Sequence, residues 1–175
     1  MPTPHPQPTI HAPLEQKLSW ARACHEEIGQ QLRDDPRVAE LLDQLAGAMV
    51  GTSTARDSSG VALRCLRCHQ EEGGTCCGSG IDDHFDSMLL LVNLLLGSRL
   101  PPRRANPKDC RFLGPDGCTM QTRQVLCLNY LCSGAERSVS ASGLASLRDM
   151  EGIEIMAQHH LLVRLSTLVA ATRFH

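Results

Sequence analysis

Cysteines are the residues of this chain whose type and spacing point most directly to chemistry. Eight of the nine cysteines lie in one part of the sequence, with the spacing C-x2-C-x7-CC-x32-C-x7-C-x8-C-x4-C. They are Cys65, Cys68, Cys76, Cys77, Cys110, Cys118, Cys127 and Cys132. Thiolate sulfur is a common ligand of zinc and of iron–sulfur clusters. The pattern therefore predicts a metal centre, either zinc or an iron–sulfur cluster, with all eight cysteines as candidate ligands.

The residues around the cysteines suit such a centre. Glycine and proline punctuate the segments EEGGTCCGSG and FLGPDGC, and tight turns of this kind let backbone amides point at sulfur. Several basic residues stand close by in the sequence, and positive charge lowers thiol pKa values and offsets the negative charge of a tetrathiolate site. These basic residues are Arg64, Arg67, Lys108, Arg111 and Arg123.

The adjacent pair Cys76 and Cys77 allows more than one interpretation. Chelation of one ion by neighbouring cysteines strains the backbone, so the two can instead reach two different ions, or one can bind while the other stays free. The rival interpretation is a redox-active disulfide between them, whose small ring departs from ordinary disulfide geometry.

Five further residues are weaker candidates for metal ligands. Cys24 and His25 lie on or beside the apolar stripe of a predicted helix, which favours core packing, because free cysteine is often buried. His84 follows the vicinal pair, but eight sulfurs already suffice for two four-ligand zinc sites, so we expect an exposed imidazole. His159 and His160 point ~100° apart on a helix, so we expect one at the edge of the core and one exposed.

Length and composition indicate one helical domain. The 175 residues suit a single core, and the apolar content of 42% with only 3% aromatics favours helices over strands. The net charge of −2 gives no indication of a nucleic-acid or membrane partner, and the longest apolar run, residues 88–96, is far shorter than the ~20 residues of a membrane span. No secretion signal is visible. We therefore expect a cytoplasmic protein, where cysteines bind metals or catalyse reactions more often than they form disulfides.

Hydrophobic periodicity predicts a mainly α fold, a small helical bundle with irregular cysteine-rich metal-binding loops at one end. A proline-rich, disordered tail is expected over residues 1–13, and one helical domain over residues 14–175. The predicted long helices cover residues 14–32, 36–50, 81–100 and 144–172. The first two should form an antiparallel hairpin, with Asp35 as N-cap and Pro36 at the first position of the second helix and Gly51 as its C-cap. The third should start near Ser79 and, being apolar nearly all round, should be buried. The predicted connections are a linker at 51–60, a GPDG turn between Cys110 and Cys118, a short helix within 118–130 and a loop at 133–142. The predicted apolar stripe of the last helix is Leu147, Met150, Ile153, Ala157, Leu161, Leu165 and Leu168.

The order and grouping of the cysteines resemble the zinc- or iron-chelating cysteine-cluster family, often called YkgJ-like. The similarity covers residues 65–132: a C-x2-C step, a CC pair, a C-x-F-L-x3-G-C segment and a later cysteine with an arginine four residues before it. It differs from the family pattern at Gln121 and at Arg123-Gln124, where relatives carry Tyr and Arg-Pro. The resemblance implies metal chelation by a small cytosolic protein.

Two functions fit this pattern. The first is a metal-binding protein whose centre is structural or carries metal or electrons to a protein partner. The second is an iron–sulfur-dependent enzyme or redox module that acts on a protein partner. The sequence contains no G-x-G-x-x-G, P-loop, H-E-x-x-H or G-x-S-x-G motif, so it assigns no catalytic residue. A zinc module that binds nucleic acid is disfavoured, because net basic charge and stacking aromatics are missing.

Overall fold

The computed structural model describes residues 6–71, 76–78 and 80–172 of the chain. Within these residues the fold is mainly α-helical, as predicted. The α-helices are α1 (Leu14–Asp34), α2 (Pro36–Ser58), α3 (Val61–Glu71), α4 (Ser87–Leu95), α5 (Val125–Asn129), α6 (Ser133–Arg137) and α7 (Ala141–Thr172). A single 3-10 turn covers Asp82–His84, and an antiparallel hairpin joins β1 (Leu113–Gly114) to β2 (Gly117–Cys118).

The predicted hairpin of α1 and α2 is confirmed, and its turn follows from two residues. The Asp35 carboxylate accepts hydrogen bonds from the backbone amides of Arg37 at 3.1 Å and Val38 at 2.9 Å. Pro36 occupies the first helical position, where its missing N–H costs nothing. The same carboxylate also accepts a bond from Arg164 on α7 at 2.5 Å, which ties the turn to the last helix.

Helix α2 is longer than predicted, because Gly51 does not end it. The helix continues to Ser58, so the linker expected at 51–60 is wrong for most of its length. A Cβ atom at Gly51 would lie 3.3 Å from Met150 Sδ on α7. This glycine therefore serves close packing of α2 on α7 and not helix termination.

The expected cysteine loops are partly helical, which corrects the fold prediction. Cys65 and Cys68 lie one turn apart on α3, and Cys127 lies on α5. Helix α6 occupies the first half of the loop expected at 133–142. The remainder of the predicted first cysteine loop, including the Ser79 start of the next helix, falls partly outside the described residues.

Helix α4 is the buried apolar helix that the sequence predicts, although it is shorter. It begins after Asp86, whose carboxylate accepts a 2.7 Å bond from the Met88 amide, and the chain turns at Gly97, which has a φ of 86°. All of its side chains except Leu94 are buried. The helix packs mainly on α1, and Lys17 of α1 secures the preceding turn by donating to the Asp83 carbonyl at 2.7 Å.

The longest helices, α2 and α7, form the most extensive helix pair. The buried positions of α7 differ from the predicted stripe. The prediction that Ile153 is buried is wrong, because its side chain is 52% exposed. Polar side chains occupy the middle of the buried face, which consists of Leu147, Glu151, Glu154, Gln158, Leu161, Leu165 and Val169. In the described part of the chain, no helix has the length and apolar character needed to cross a bilayer.

Candidate metal centre

The eight candidate cysteines share one cavity of about 1020 Å³ beside the C-terminal half of α2. It is lined by Cys65, Cys68, Cys76, Cys77, Cys110, Cys118, Cys127 and Cys132. Their sequence positions span α3, the segment after it, the hairpin, α5 and the start of α6. The fold therefore brings together the residues that the sequence grouped by type and spacing.

Backbone pairing fixes the middle cysteines of this set. The Cys110 amide donates to the Cys77 carbonyl at 2.7 Å, and Gly78 pairs with Asp109 in an antiparallel bridge. The GPDG turn is confirmed as the hairpin that places Cys118 opposite Leu113. Cys77, Cys110 and Cys118 are thus carried by segments that are hydrogen-bonded to each other.

A buried carboxylate, Asp82, locks the same segments. It accepts bonds from Arg104 Nε and Nη2 at 2.9 and 2.8 Å, from the Arg111 amide at 3.0 Å and from the Gly80 amide at 3.1 Å. Burial alone would raise the pKa of Asp82, but these hydrogen bonds outweigh it and hold the pKa below its ordinary value of 3.8. Asp82 therefore acts as the ionised anchor of this side of the cavity.

Helix α5 is attached to the same side. The Gln124 side chain donates from Nε2 to the Ile81 carbonyl at 2.9 Å, just after the bridge that holds Cys77. The Gln124 carbonyl in turn accepts from the Cys127 amide at 2.9 Å. Gln124 thereby places Cys127 beside the hairpin cysteines.

The opposite wall consists of α3 and α6. Cys132 is the N-cap of α6, and its sulfur accepts from the Ala135 amide at 3.4 Å. A Cβ atom at Gly134 would lie 3.6 Å from Arg64 Nη2, so α6 packs closely on the helix that carries Cys65 and Cys68. The backbone hydrogen bond from Ala135 lowers the pKa of Cys132, and a hydrogen bond from the Cys76 side chain lowers it further.

Five of the other thiols are poor anions when no cation is near. Burial raises the pKa of Cys76 to about 11 and that of Cys110 to about 12. Burial also raises the pKa values of Cys65, Cys118 and Cys127. A bound cation reverses this preference, because it stabilises the thiolate directly.

Sequence reasoning missed a buried polar group in the cavity wall. Arg56 lines the cavity and donates from Nη2 to the Leu128 carbonyl and to Glu151 Oε1, both at 2.7 Å. Its buried Nε has no hydrogen-bond partner among the described residues. Glu154 lines the same wall, and its burial raises the pKa of its carboxyl group. Glu151 and Glu154 follow Leu147 at helical spacing on α7. The sequence would therefore have indicated both glutamates if polar residues had been accepted on the predicted buried face of this helix.

Only some of the basic residues singled out in the sequence reach the site. Arg64 and Arg123 line the cavity. Arg67 and Lys108 are exposed and do not line it. Arg111 points elsewhere: its guanidinium bonds to the Pro102 carbonyl at 2.7 Å and to Glu15 at 2.5 Å.

Among the described residues, Cys24 and the histidines considered as ligands lie away from the cavity, whereas one other histidine lines it. Cys24 is fully buried in the main apolar core, as its position on the helix stripe predicts. His84 is exposed, as expected, whereas His159 and His160 are both exposed, so the core-edge position expected for one of them is wrong. His69, which the sequence did not single out, lines the cavity one residue after Cys68.

The donor types in the cavity fit a soft metal, but the coordination sphere is not formed. Among the described residues, no three Cys, His, Asp or Glu side chains are placed to hold a metal ion. The eight sulfurs open on a shared space from separate segments. Metal binding would require these segments to move closer together.

No protein-family model, curated protein or solved structure matches the chain. The resemblance to the cysteine-cluster family therefore rests on the cysteine pattern alone.

Proposed function

We propose that the protein binds metal, as zinc or an iron–sulfur centre, through the eight cysteines that line the cavity. One observation carries this proposal: eight sulfurs that are scattered over five segments of the sequence open on a single space. Chance burial of small hydrophobic residues would distribute them over the core, as it does for Cys24. A thiol-rich centre of this kind suits a reducing compartment such as the cytoplasm.

Zinc needs four sulfurs at about 2.3 Å, so the thiol-bearing segments must close around the metal. The free energy for such closure is available, because a structural zinc site contributes ~10 kcal/mol or more to folding. The segments that carry Cys77, Cys110 and Cys118 are hydrogen-bonded to each other, so their sulfurs start from neighbouring positions of the backbone.

Three arginines of the cavity wall, which also contains Asp57, Asp116 and Glu154, support the same proposal. Thiolates around zinc or an iron–sulfur cluster leave net negative charge, and Arg56, Arg64 and Arg123 line the cavity to offset it. The unpartnered Nε of Arg56 is a donor that a metal-bound thiolate can accept.

The second candidate is an iron–sulfur enzyme or redox module that acts on a protein partner. The size of the cavity favours it, because about 1020 Å³ exceeds what a closed structural zinc site needs. Glu154 also favours it, since a buried carboxyl group with a raised pKa can hold a proton beside the metal.

Elemental analysis of untagged protein, purified without oxygen, tests the proposal. We expect stoichiometric zinc in a colourless protein, or iron and sulfide in a brown one. Cys65→Ser and Cys118→Ser should lower the bound metal, and Cys24→Ala is the matched control that should not. Metal-free wild-type protein that also takes up neither zinc nor iron and sulfide would refute the proposal.

A further inference from the structure

We propose that the cavity holds two separate four-cysteine centres and that the adjacent cysteines Cys76 and Cys77 belong to different ones. This inference rests on the proposed function and assigns its ligands. The helix-side set is Cys65, Cys68, Cys76 and Cys132. The hairpin-side set is Cys77, Cys110, Cys118 and Cys127.

The number of sulfurs matches two four-coordinate centres. Zinc takes four ligands in structural sites, and a cubane iron–sulfur cluster also takes four cysteines. Eight cysteines on one cavity therefore supply two complete sets.

The hairpin-side set is defined by backbone bonds. The backbone amide of Cys110 donates a hydrogen bond to the backbone carbonyl of Cys77 at 2.7 Å. The β1–β2 hairpin brings Cys118 back toward Cys110. Gln124 fastens the start of α5, and with it Cys127, to the Ile81 carbonyl at 2.9 Å. Cys77 and Cys110 also pack on the main apolar core.

The helix-side set belongs to a different packing unit. Cys132 packs on a second apolar cluster, in which Val61 of α3 meets Leu131 and Ala135. The i, i+3 spacing of Cys65 and Cys68 places both on one face of α3. Cys132 therefore faces α3, although it lies only five residues from Cys127 in the sequence.

The vicinal pair spans the boundary between the two units. The side chain of Cys76 is hydrogen-bonded to the sulfur of Cys132, whereas the backbone of Cys77 is bonded to Cys110. Splitting the pair also avoids the strained chelation of one ion by two adjacent residues. In this assignment each cysteine of the pair binds its own metal centre. Neither is a free thiol, and the two do not form a disulfide with each other.

Matched double variants test the partition with Zn²⁺ added anaerobically to reduced, metal-free protein and then challenged with a chelator. Wild-type protein should retain two equivalents. Cys65→Ser/Cys76→Ser alters one set and should retain one equivalent, whereas Cys65→Ser/Cys77→Ser alters both and should retain none. Cys77→Ser/Cys127→Ser and Cys77→Ser/Cys132→Ser form a second matched comparison, with one and no equivalent expected. Reconstitution with iron and sulfide should give the same ranking in iron content.

Alkylation of wild-type protein provides a test that does not depend on the folding of variants. With one equivalent of Zn²⁺, iodoacetamide should modify only one of Cys127 and Cys132 in a large share of the molecules, because the two cysteines belong to different sets and share the tryptic peptide 124–137. A peptide found only doubly modified or unmodified, or equal metal loss from within-set and across-set variants, would overturn the partition while leaving metal binding intact. Wild-type protein that binds no metal would instead overturn the proposed function, and the partition with it.

Discussion

The guanidinium of Arg56 is bonded to the carboxylate of Glu151 at 2.7 Å, and both residues are buried between α2 and α7. The second carboxylate oxygen of Glu151 accepts from Arg148 at 2.7 Å. Arg56 additionally donates to the Leu128 carbonyl. This ion pair therefore connects the pairing of the two longest helices to the end of α5, and it does so in the wall of the cysteine cavity.

We predict that Arg56→Met destabilises the protein by about 3–5 kcal/mol, because it leaves the fully buried Glu151 with Arg148, a partner that is 34% exposed, as its only ion-pair partner among the described residues. Urea unfolding of the metal-free protein measures the loss. Arg37→Met is the control: its partner Glu40 and Arg37 itself are more than half exposed, so less than about 1 kcal/mol should be lost. Equal losses in the two variants would show that burial does not strengthen the Arg56 pair.

We predict that the contribution of Asp82 to the stability of the fold is lost in acid. Its folded-state pKa lies below 3.8, so its contribution is complete at pH values above the unfolded pKa and disappears as the pH falls through the folded one. Asp82→Asn should cost about 2 kcal/mol at neutral pH, where it removes charge-assisted hydrogen bonds from Arg104.

The measurement is denaturant unfolding of metal-free wild type and Asp82→Asn at pH 7 and below pH 3.8. The gap between them should shrink in acid, since the wild-type carboxylate then takes up its proton. A gap that stays constant over this range would mean that the charge of Asp82 contributes nothing.

Local rules predicted the elements whose ends are set by their own residues. Asp35 and Pro36 start α2 by capping and fixed φ, and the GPDG sequence turns the hairpin. The prediction that Gly51 ends α2 is wrong, because this glycine makes room for Met150 of α7. The sequence around Gly51 contains no sign of that contact between distant residues.

The buried glutamates of α7 were also not predicted, because their burial depends on contacts between distant parts of the chain. A search for apolar stripes placed Ile153 in the core, whereas Glu151 and Glu154 occupy the buried positions. Glu151 is paired with Arg56, almost a hundred residues away, so its partner cannot be read from local sequence. The density and spacing of the cysteines predicted one shared site, and the eight line one cavity, while their distribution over separate segments of its wall required the fold.

We predict that replacing Cys24 lowers the stability of the protein without changing the amount of metal it binds. Cys24 is fully buried in the main core, so Cys24→Ala should cost about 1 kcal/mol, as other small deletions from a core do. Its ratio of metal to protein should equal that of wild type. A fall in this ratio, measured by elemental analysis, would place Cys24 among the ligands and contradict its assignment to the core.

Metal removal should loosen the cavity walls before the helical frame. The hairpin and the segment around Cys77 reach the main apolar core through Cys110 and Phe112 and are otherwise held by a few backbone bonds and Asp82, and α5 and α6 are five residues each. By contrast, α1, α2, α4 and α7 supply most of the main apolar core. Stripping the metal should therefore increase amide hydrogen exchange at residues 110–118 and 125–137 while α1 and α2 stay protected.

Hydrogen exchange on metal-bound and metal-free protein, followed by mass spectrometry, measures this difference. Helix α3 is the informative case, because only Val61 of its residues is buried, although Cys65 and Cys68 line the cavity. If thiolate–metal bonds hold α3 against α6, its protection should fall with that of the hairpin, and Cys24→Ala should reproduce the wild-type pattern in both states. Equal protection of α3, the hairpin and α6 with and without metal would show that the apolar contacts of Val61 and Phe112 order these segments unaided.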